Sequence, residues 1–226
     1  MNSMQNLESI YQQAAAIGRR LGAARVVLYG SRARGDNRER SDIDLAVFGA
    51  DPSTYGAFLE ALEGLPTLLE FDLVYVDRST SPALVENILK DGVTIMDKLT
   101  EKGSKLAQAV ARLEEALDDY KTYHLDSVRD GVIQRFEMCT ELAWKTTREY
   151  LIDQGFSDGI NSPKSVMRKA YTAGLLQEEQ GWIDLLNARN LTAHIYDEAT
   201  AQRVFEQISG QFCPLFHQLV AALELN

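Results

Sequence analysis

The residues best suited to chemistry lie between positions 28 and 45. Asp42 and Asp44 alternate with apolar residues, so a strand here would carry both carboxylates on one face. Ahead of them, Gly30 and Ser31 could offer backbone N–H groups and a hydroxyl to an anion. The same stretch holds a dense cluster of arginines, namely Arg32, Arg34, Arg38 and Arg40. These residue types together predict a site for a nucleoside triphosphate with magnesium.

A third carboxylate follows on a later predicted strand. Asp72 alternates with Phe71 and Leu73 in the run 70–76. Gly-Ser, ten residues, and then Asp-x-Asp, followed by this aspartate, resembles the signature of polymerase-β-type nucleotidyltransferases in its minimal form. For Gly-Ser alone, a simple turn followed by solvent-exposed aspartates is the alternative.

The resemblance implies a metal site made of three carboxylates. Asp42 and Asp44 would bind two Mg²⁺ ions, and Asp72 would complete the site and is a candidate to accept the proton of the acceptor hydroxyl. The substrate implied is ATP or another nucleoside triphosphate.

The resemblance also implies a phosphate site. Gly30 and Ser31 would hold the β- and γ-phosphates through a backbone N–H and a hydroxyl. Arg32 and Arg34 lie nearest to this turn, and the sequence leaves open which of them contacts phosphate.

A second motif lies near the C-terminus, where Arg189 is followed after four residues by His194 and then by Tyr196. This spacing resembles HEPN domains, and the runs 134–146 and 162–164 resemble the helical "nucleotidyltransferase substrate-binding" family that accompanies minimal nucleotidyltransferases. The resemblance implies metal-independent RNA cleavage, with the arginine holding the scissile phosphate and the histidine acting as acid or base. It also implies that the tyrosine receives AMP, which silences the ribonuclease.

Helix geometry bears on this second site. Positions five apart on an ideal helix differ by about 140°, so Arg189 and His194 would not share a face. The site therefore needs a break in the helix or a second subunit, and we expect a homodimer through this region. In the alternative interpretation, His194 ends a helix and Arg189 pairs with Asp184 or Asp197, while Tyr196 is only a packed aromatic residue.

Composition narrows the function classes. The net charge of −10 over 226 residues argues against non-specific DNA or RNA binding. The sequence has no apolar run long enough to span a membrane and no signal-peptide pattern at its start, so we expect a cytoplasmic protein without membrane partners. Cys139 and Cys213 lie in apolar helical patterns and are predicted to be buried free thiols, while His124 and His217 belong to no motif.

The pattern of apolar residues predicts an α+β fold in two parts. Residues 1–98 read as a nucleotidyltransferase domain with a small mixed sheet and helices on one side, residues 99–104 as a linker, and residues 105–226 as an all-α, HEPN-like bundle. The last helix is predicted over 198–225, bent at Pro214.

Three functions are compatible with these features. The first is a Mg-dependent nucleotidyltransferase that modifies Tyr196 of its own or a partner's helical domain, a fused toxin–antitoxin arrangement with a latent ribonuclease site. In the second, the helical domain binds a small-molecule acceptor, as in antibiotic nucleotidyltransferases, and a buried, unmodified Tyr196 would favour it. In the third, nucleotide binding regulates dimerisation without turnover, although a binder has no need of all three aspartates.

Overall fold

The computed structural model describes residues 2–77, 79–156, 158–192 and 198–224. Contacts between residues divide the chain into two compact units, Met1–Lys98 and Leu99–Asn226. Residues 99–104, predicted as a linker, are helical and belong to the first turns of a long helix. Within the described residues, no helix combines the length and the apolar character needed to cross a membrane.

Unit 1 is built on a four-stranded mixed sheet. The strand order is β3-β2-β1-β4, in which β1 runs antiparallel to β2 and β4 while β2 and β3 are parallel. This confirms the small mixed sheet that the sequence predicts. The elements are α1 (Asn2–Arg20), β1 (Arg25–Tyr29), α2 (Gly30–Arg34), β2 (Ile43–Phe48), α3 (Tyr55–Glu63), β3 (Phe71–Val76), α4 (Pro82–Asp91) and β4 (Val93–Asp97).

Both faces of this sheet are covered, which corrects the prediction of helices on one side. Residues of α1 and α3 pack with one set of alternating strand residues, including Leu28 and Leu45. The strand residues of opposite parity, Val27 and Ala46, form a separate cluster with Ile88 of α4. Because side chains alternate along a strand, α4 lies on the face opposite to α1 and α3.

Unit 2 is all-helical, as predicted. Its core centres on aromatic contacts between helices: Phe136 stacks on Phe212 with ring centroids 5.6 Å apart, and Trp182 meets Phe216 edge-on at 5.8 Å. The helices are α5 (Lys98–Tyr123), α6 (Asp126–Asp153), α7 (Pro163–Thr172), α8 (Glu179–Thr192), α9 (Glu198–Gln207) and α10 (Cys213–Glu224).

The helix predicted over 198–225 is interrupted rather than bent. A π-helical turn, Ile208–Phe212, separates α9 from α10. Pro214 has no N–H group with which to continue the α-helical hydrogen-bond pattern to Gly210, so the local winding changes just before it.

Candidate functional site

The register of the sheet brings two of the predicted carboxylates side by side. Asp44 of β2 lies opposite Asp72 of the parallel strand β3, and opposite Tyr29 of the antiparallel strand β1. Residues directly opposite one another project from the same face of a sheet. Asp42 was predicted to lie within this strand. Because β2 begins at Ile43, Asp42 instead directly precedes the first residue of the strand.

Electrostatic repulsion marks this cluster. Partial burial, followed by the charges of Asp72 and Asp42, raises the pKa of Asp44, although Arg34 and Arg32 act in the opposite direction. Burial, followed by the charges of Asp72 on β3 and Asp44 on β2, raises the pKa of Tyr29 to about 12.

A cation suits this arrangement. Among the described residues, no lysine or arginine lies within ion-pair distance of Asp42, Asp44 or Asp72. Hard divalent cations take carboxylate oxygens as ligands, so Mg²⁺ fits this donor set.

The width of the cluster bears on how many ions it could hold. The three carboxylates are absent from the groups of described residues whose ligand atoms all lie within 4.8 Å of one another. Two ligands on opposite sides of one Mg²⁺ are at most about 4.2 Å apart, so a single ion cannot contact all three carboxylates as they stand. That two ions occupy the cluster stays a prediction.

Gly30 permits the close approach of the loop to Asp44. Its φ is +70°, and a Cβ at this position would lie 2.2 Å from Asp44 Oδ2. Only glycine satisfies both the left-handed backbone conformation and this contact. Ser31 follows Gly30 directly and is half-buried, and its contact with phosphate stays a prediction.

Arg32 has a structural role that the sequence did not reveal. Its side chain is only 9% exposed, and its guanidinium donates hydrogen bonds to the backbone carbonyls of Glu39, Ser41 and Asp42. These bonds fix the end of the loop that delivers Asp42 to the start of β2. The density of arginine in this stretch was the visible signal, but it does not distinguish a backbone partner from a phosphate.

Arg34 is disposed differently. It is exposed, and its Nε lies 3.2 Å from Asp36 Oδ2. An exposed pair of this kind contributes little to stability and can be exchanged for another anion. Of the two arginines in question, Arg34 is therefore the more available to a ligand.

In unit 2, Arg189 lies in the last turn of α8 and is half-buried. Asp184 was one of the two predicted alternative partners of Arg189. Its carboxylate instead accepts a hydrogen bond from Gln180. His194 and Tyr196, like Asp197, lie outside the described residues, and their roles stay predictions.

Arg189 lines a groove of about 350 Å³, together with Glu141, Trp144, Lys164 and Asn190. Hydrogen bonds from Lys145 and from the Trp144 indole N–H lower the pKa of Glu141, and Arg189 adds to this effect. The negative charge of Glu141 is paired with Lys145. The other charged residues that line the groove, Lys164 and Arg189, are both positive. In the sequence, the runs that contain Trp144 and Lys164 show only a family resemblance. The sequence does not reveal that both residues lie near Arg189, because that proximity depends on tertiary packing.

Comparison with known proteins gives each unit a family context. Residues 101–225 match the family model "Nucleotidyltransferase substrate binding protein like", and residues 15–101 match "Polymerase beta, Nucleotidyltransferase". A probable ribonuclease HepT from Haemophilus influenzae is 31% identical over 86 residues, which are 37% of this chain and 59% of the relative. The match thus spans about three fifths of that relative's length.

Solved structures resemble the chain over about half its length. A Haemophilus influenzae protein, described as having the fold of a substrate binding domain of a nucleotidyltransferase, is 25% identical with a TM-score of 0.50, covering 54% of this chain and 98% of that one. A tri-AMPylated Shewanella oneidensis HEPN toxin, solved in complex with MNT antitoxin, is 15% identical with a TM-score of 0.48, covering 57% and 97% respectively.

The contact between Gly30 and Asp44 leads to a prediction. We expect Mg²⁺ to raise the melting temperature of the wild type, and Gly30→Ala to abolish that rise, because the added Cβ would displace the Asp44 carboxylate. Gly35→Ala is the matched control, since its φ is +77° and no atom lies within 4 Å of the added Cβ. Both substitutions cost about 1–2 kcal/mol of backbone strain, so only the collision distinguishes them. An equal Mg²⁺ response in the two variants would contradict the role given to Gly30.

Proposed function

The chain belongs to the nucleotidyltransferase substrate binding protein like family, and on that premise we propose that its polymerase-β-type domain transfers a nucleoside monophosphate, AMP from ATP, to a hydroxyl group. The single observation that carries this proposal is the register that pairs Asp44 with Asp72, with Asp42 directly before the first residue of β2. Three crowded carboxylates without a cationic side-chain partner among the described residues are suited to binding divalent cations.

The reaction divides between these residues as follows. The acceptor oxygen forms a bond to the α-phosphorus, the bond from that phosphorus to the bridging oxygen breaks, and pyrophosphate leaves. Asp42, Asp44 and Asp72 would hold Mg²⁺, which when bound supplies charge neutralisation at the α-phosphate and the leaving group. Asp72, the exposed member of the strand pair, accepts the proton of the acceptor hydroxyl.

The triphosphate requires its own contacts. Gly30 lies close to Asp44, and together with the adjacent Ser31 it offers a backbone N–H and a hydroxyl to the β- and γ-phosphates. Arg34 exchanges its exposed partner Asp36 for phosphate, while Arg32 acts through the loop that positions Asp42.

This assignment predicts the effect of removing one carboxylate charge. Asp44→Asn should reduce Mg-dependent release of pyrophosphate from ATP by more than the 10- to 100-fold typical of residues outside the metal's direct shell. The fold should persist, because the pKa of Asp44 is raised in the folded state, and its ionised form therefore destabilises the fold at pH values above that pKa. The variant should melt at or above the wild-type temperature in metal-free buffer at neutral pH.

The matched control is Asp91→Asn, which neutralises an exposed aspartate at the end of α4. It should release pyrophosphate as fast as the wild type. Turnover retained in Asp44→Asn would exclude the proposed chemistry.

We assign Tyr196 as the acceptor, in the same chain or in a second copy. The support is the Arg-x4-His-x-Tyr motif and its presence in one polypeptide with a nucleotidyltransferase domain, which raises the effective concentration of one for the other. An adenylyl group two residues from His194 adds negative charge and bulk where an RNA phosphate would bind.

The groove beside Arg189 favours RNA cleavage as the activity that this modification silences. Lys164 and Arg189 provide positive charge for phosphate, and the half-buried Trp144 provides a surface for a base. Arg189 holds the scissile phosphate, His194 transfers the proton, and a homodimer supplies the two residues from different copies.

The acceptor assignment predicts a specific change in mass. Wild-type protein incubated with ATP and Mg²⁺ should gain one or more adenylyl groups in an intact-mass spectrum, and Tyr196→Phe should gain none. Tyr123→Phe, which alters an exposed tyrosine of the same unit, should be modified as the wild type is. An unchanged adduct in Tyr196→Phe would refute the assignment, and turnover only with added small-molecule hydroxyls would support an external acceptor.

A further inference from the structure

A separate cluster of metal-ligating side chains joins α5 to α10 in unit 2. Glu114, Cys213 and His217 each place one ligand atom within 4.8 Å of the others. His217 Nε2 lies 2.7 Å from Glu114 Oε1, and Cys213 Sγ lies 3.8 Å from the same nitrogen. We propose that these three side chains form a binding site for a zinc-class cation, distinct from the aspartate cluster of unit 1.

The distances are close to those of a tetrahedral zinc site. With Zn–S near 2.3 Å and Zn–N near 2.0 Å, tetrahedral geometry separates sulfur and nitrogen by about 3.6 Å. The observed sulfur–nitrogen distance needs little change. The carboxylate must withdraw from the imidazole by about 0.6 Å to admit the ion, and it can do so because the Glu114 and His217 side chains are 51% and 46% exposed.

The local backbone explains how the cluster arises. Cys213 and His217 are four residues apart on α10, so their side chains share one face of the helix. The π-helical turn Ile208–Phe212 immediately precedes Cys213, and π-helical turns occur frequently at functional sites. A cavity of about 370 Å³, lined by all three ligands, gives the ion access from solvent.

The types of ligand select the class of metal. A thiolate and an imidazole favour zinc and related transition metals over Mg²⁺, whereas the all-oxygen cluster of unit 1 has the reverse preference. Asp118 also lines the cavity, but its carboxylate is not among the ligand atoms that lie within 4.8 Å of one another, so the three protein ligands leave a fourth position for water.

Binding has a proton balance that can be measured. Burial and the neighbouring Glu114 raise the pKa of Cys213, against the opposing charge of Lys121. Coordination of the sulfur as a thiolate releases the thiol proton. The bound ion would connect α5 with α10 and raise the melting temperature.

The experiment uses the full, metal-stripped chain titrated with Co²⁺ and then with Zn²⁺. The wild type should bind one Co²⁺ with a thiolate-to-cobalt charge-transfer band, which one equivalent of Zn²⁺ removes. Cys213→Ser should lack the band. Cys139→Ala should keep it, because Cys139, the other buried free cysteine, does not belong to the ligand cluster.

The exposed ligands provide a test that does not depend on altering a buried residue. His217→Gln should weaken Zn²⁺ binding at least tenfold, while His124→Gln should leave it unchanged. A wild-type chain without the band, a band that survives in Cys213→Ser, or equal affinities in the two histidine variants would overturn the proposal. None of these readouts depends on nucleotidyl transfer.

Discussion

The repulsion between Asp44 and Asp72 is the constraint on which the candidate site depends. The parallel pairing of β2 with β3 holds the two carboxylates at the same level of the sheet, and Asp42 adds a third charge at the strand's mouth. Partial burial of Asp44 strengthens this repulsion, and burial and repulsion together raise the pKa of Asp44. A divalent cation would turn this repulsion into an attraction, which is why the proposed metal binding suits this cluster.

The loop between β1 and β2 serves this cluster at both of its ends. At its start, Gly30 lets the backbone pass close to Asp44, where any side chain would collide. At its end, Arg32 is buried and binds the carbonyls that lead into β2, which fixes where Asp42 emerges. The acidic chain repels polyanions at long range, so the proposed triphosphate site would depend on contacts that act at short distance, such as those assigned to Ser31 and Arg34.

Sequence patterns predicted the parts of this architecture that depend on local order. The alternation of acidic and apolar residues indicated one strand around Asp44 and another around Asp72, and both strands are present. Features that depend on partners distant in the sequence were either not predicted or predicted wrongly. The partners of Arg32, the packing of α4 on the opposite face and the meeting of Glu114 with His217 all follow from tertiary contacts, which residue types and spacing do not encode.

The most direct test of the central claim is to count the divalent cations that the aspartate cluster binds. Mn²⁺ can replace Mg²⁺, and electron paramagnetic resonance of the free ion gives the number bound in the presence of a non-hydrolysable ATP analogue. The account predicts two nucleotide-dependent Mn²⁺ ions per wild-type chain and the loss of at least one in Asp44→Asn. Equal numbers in the two proteins, or no nucleotide-dependent binding in the wild type, would contradict it.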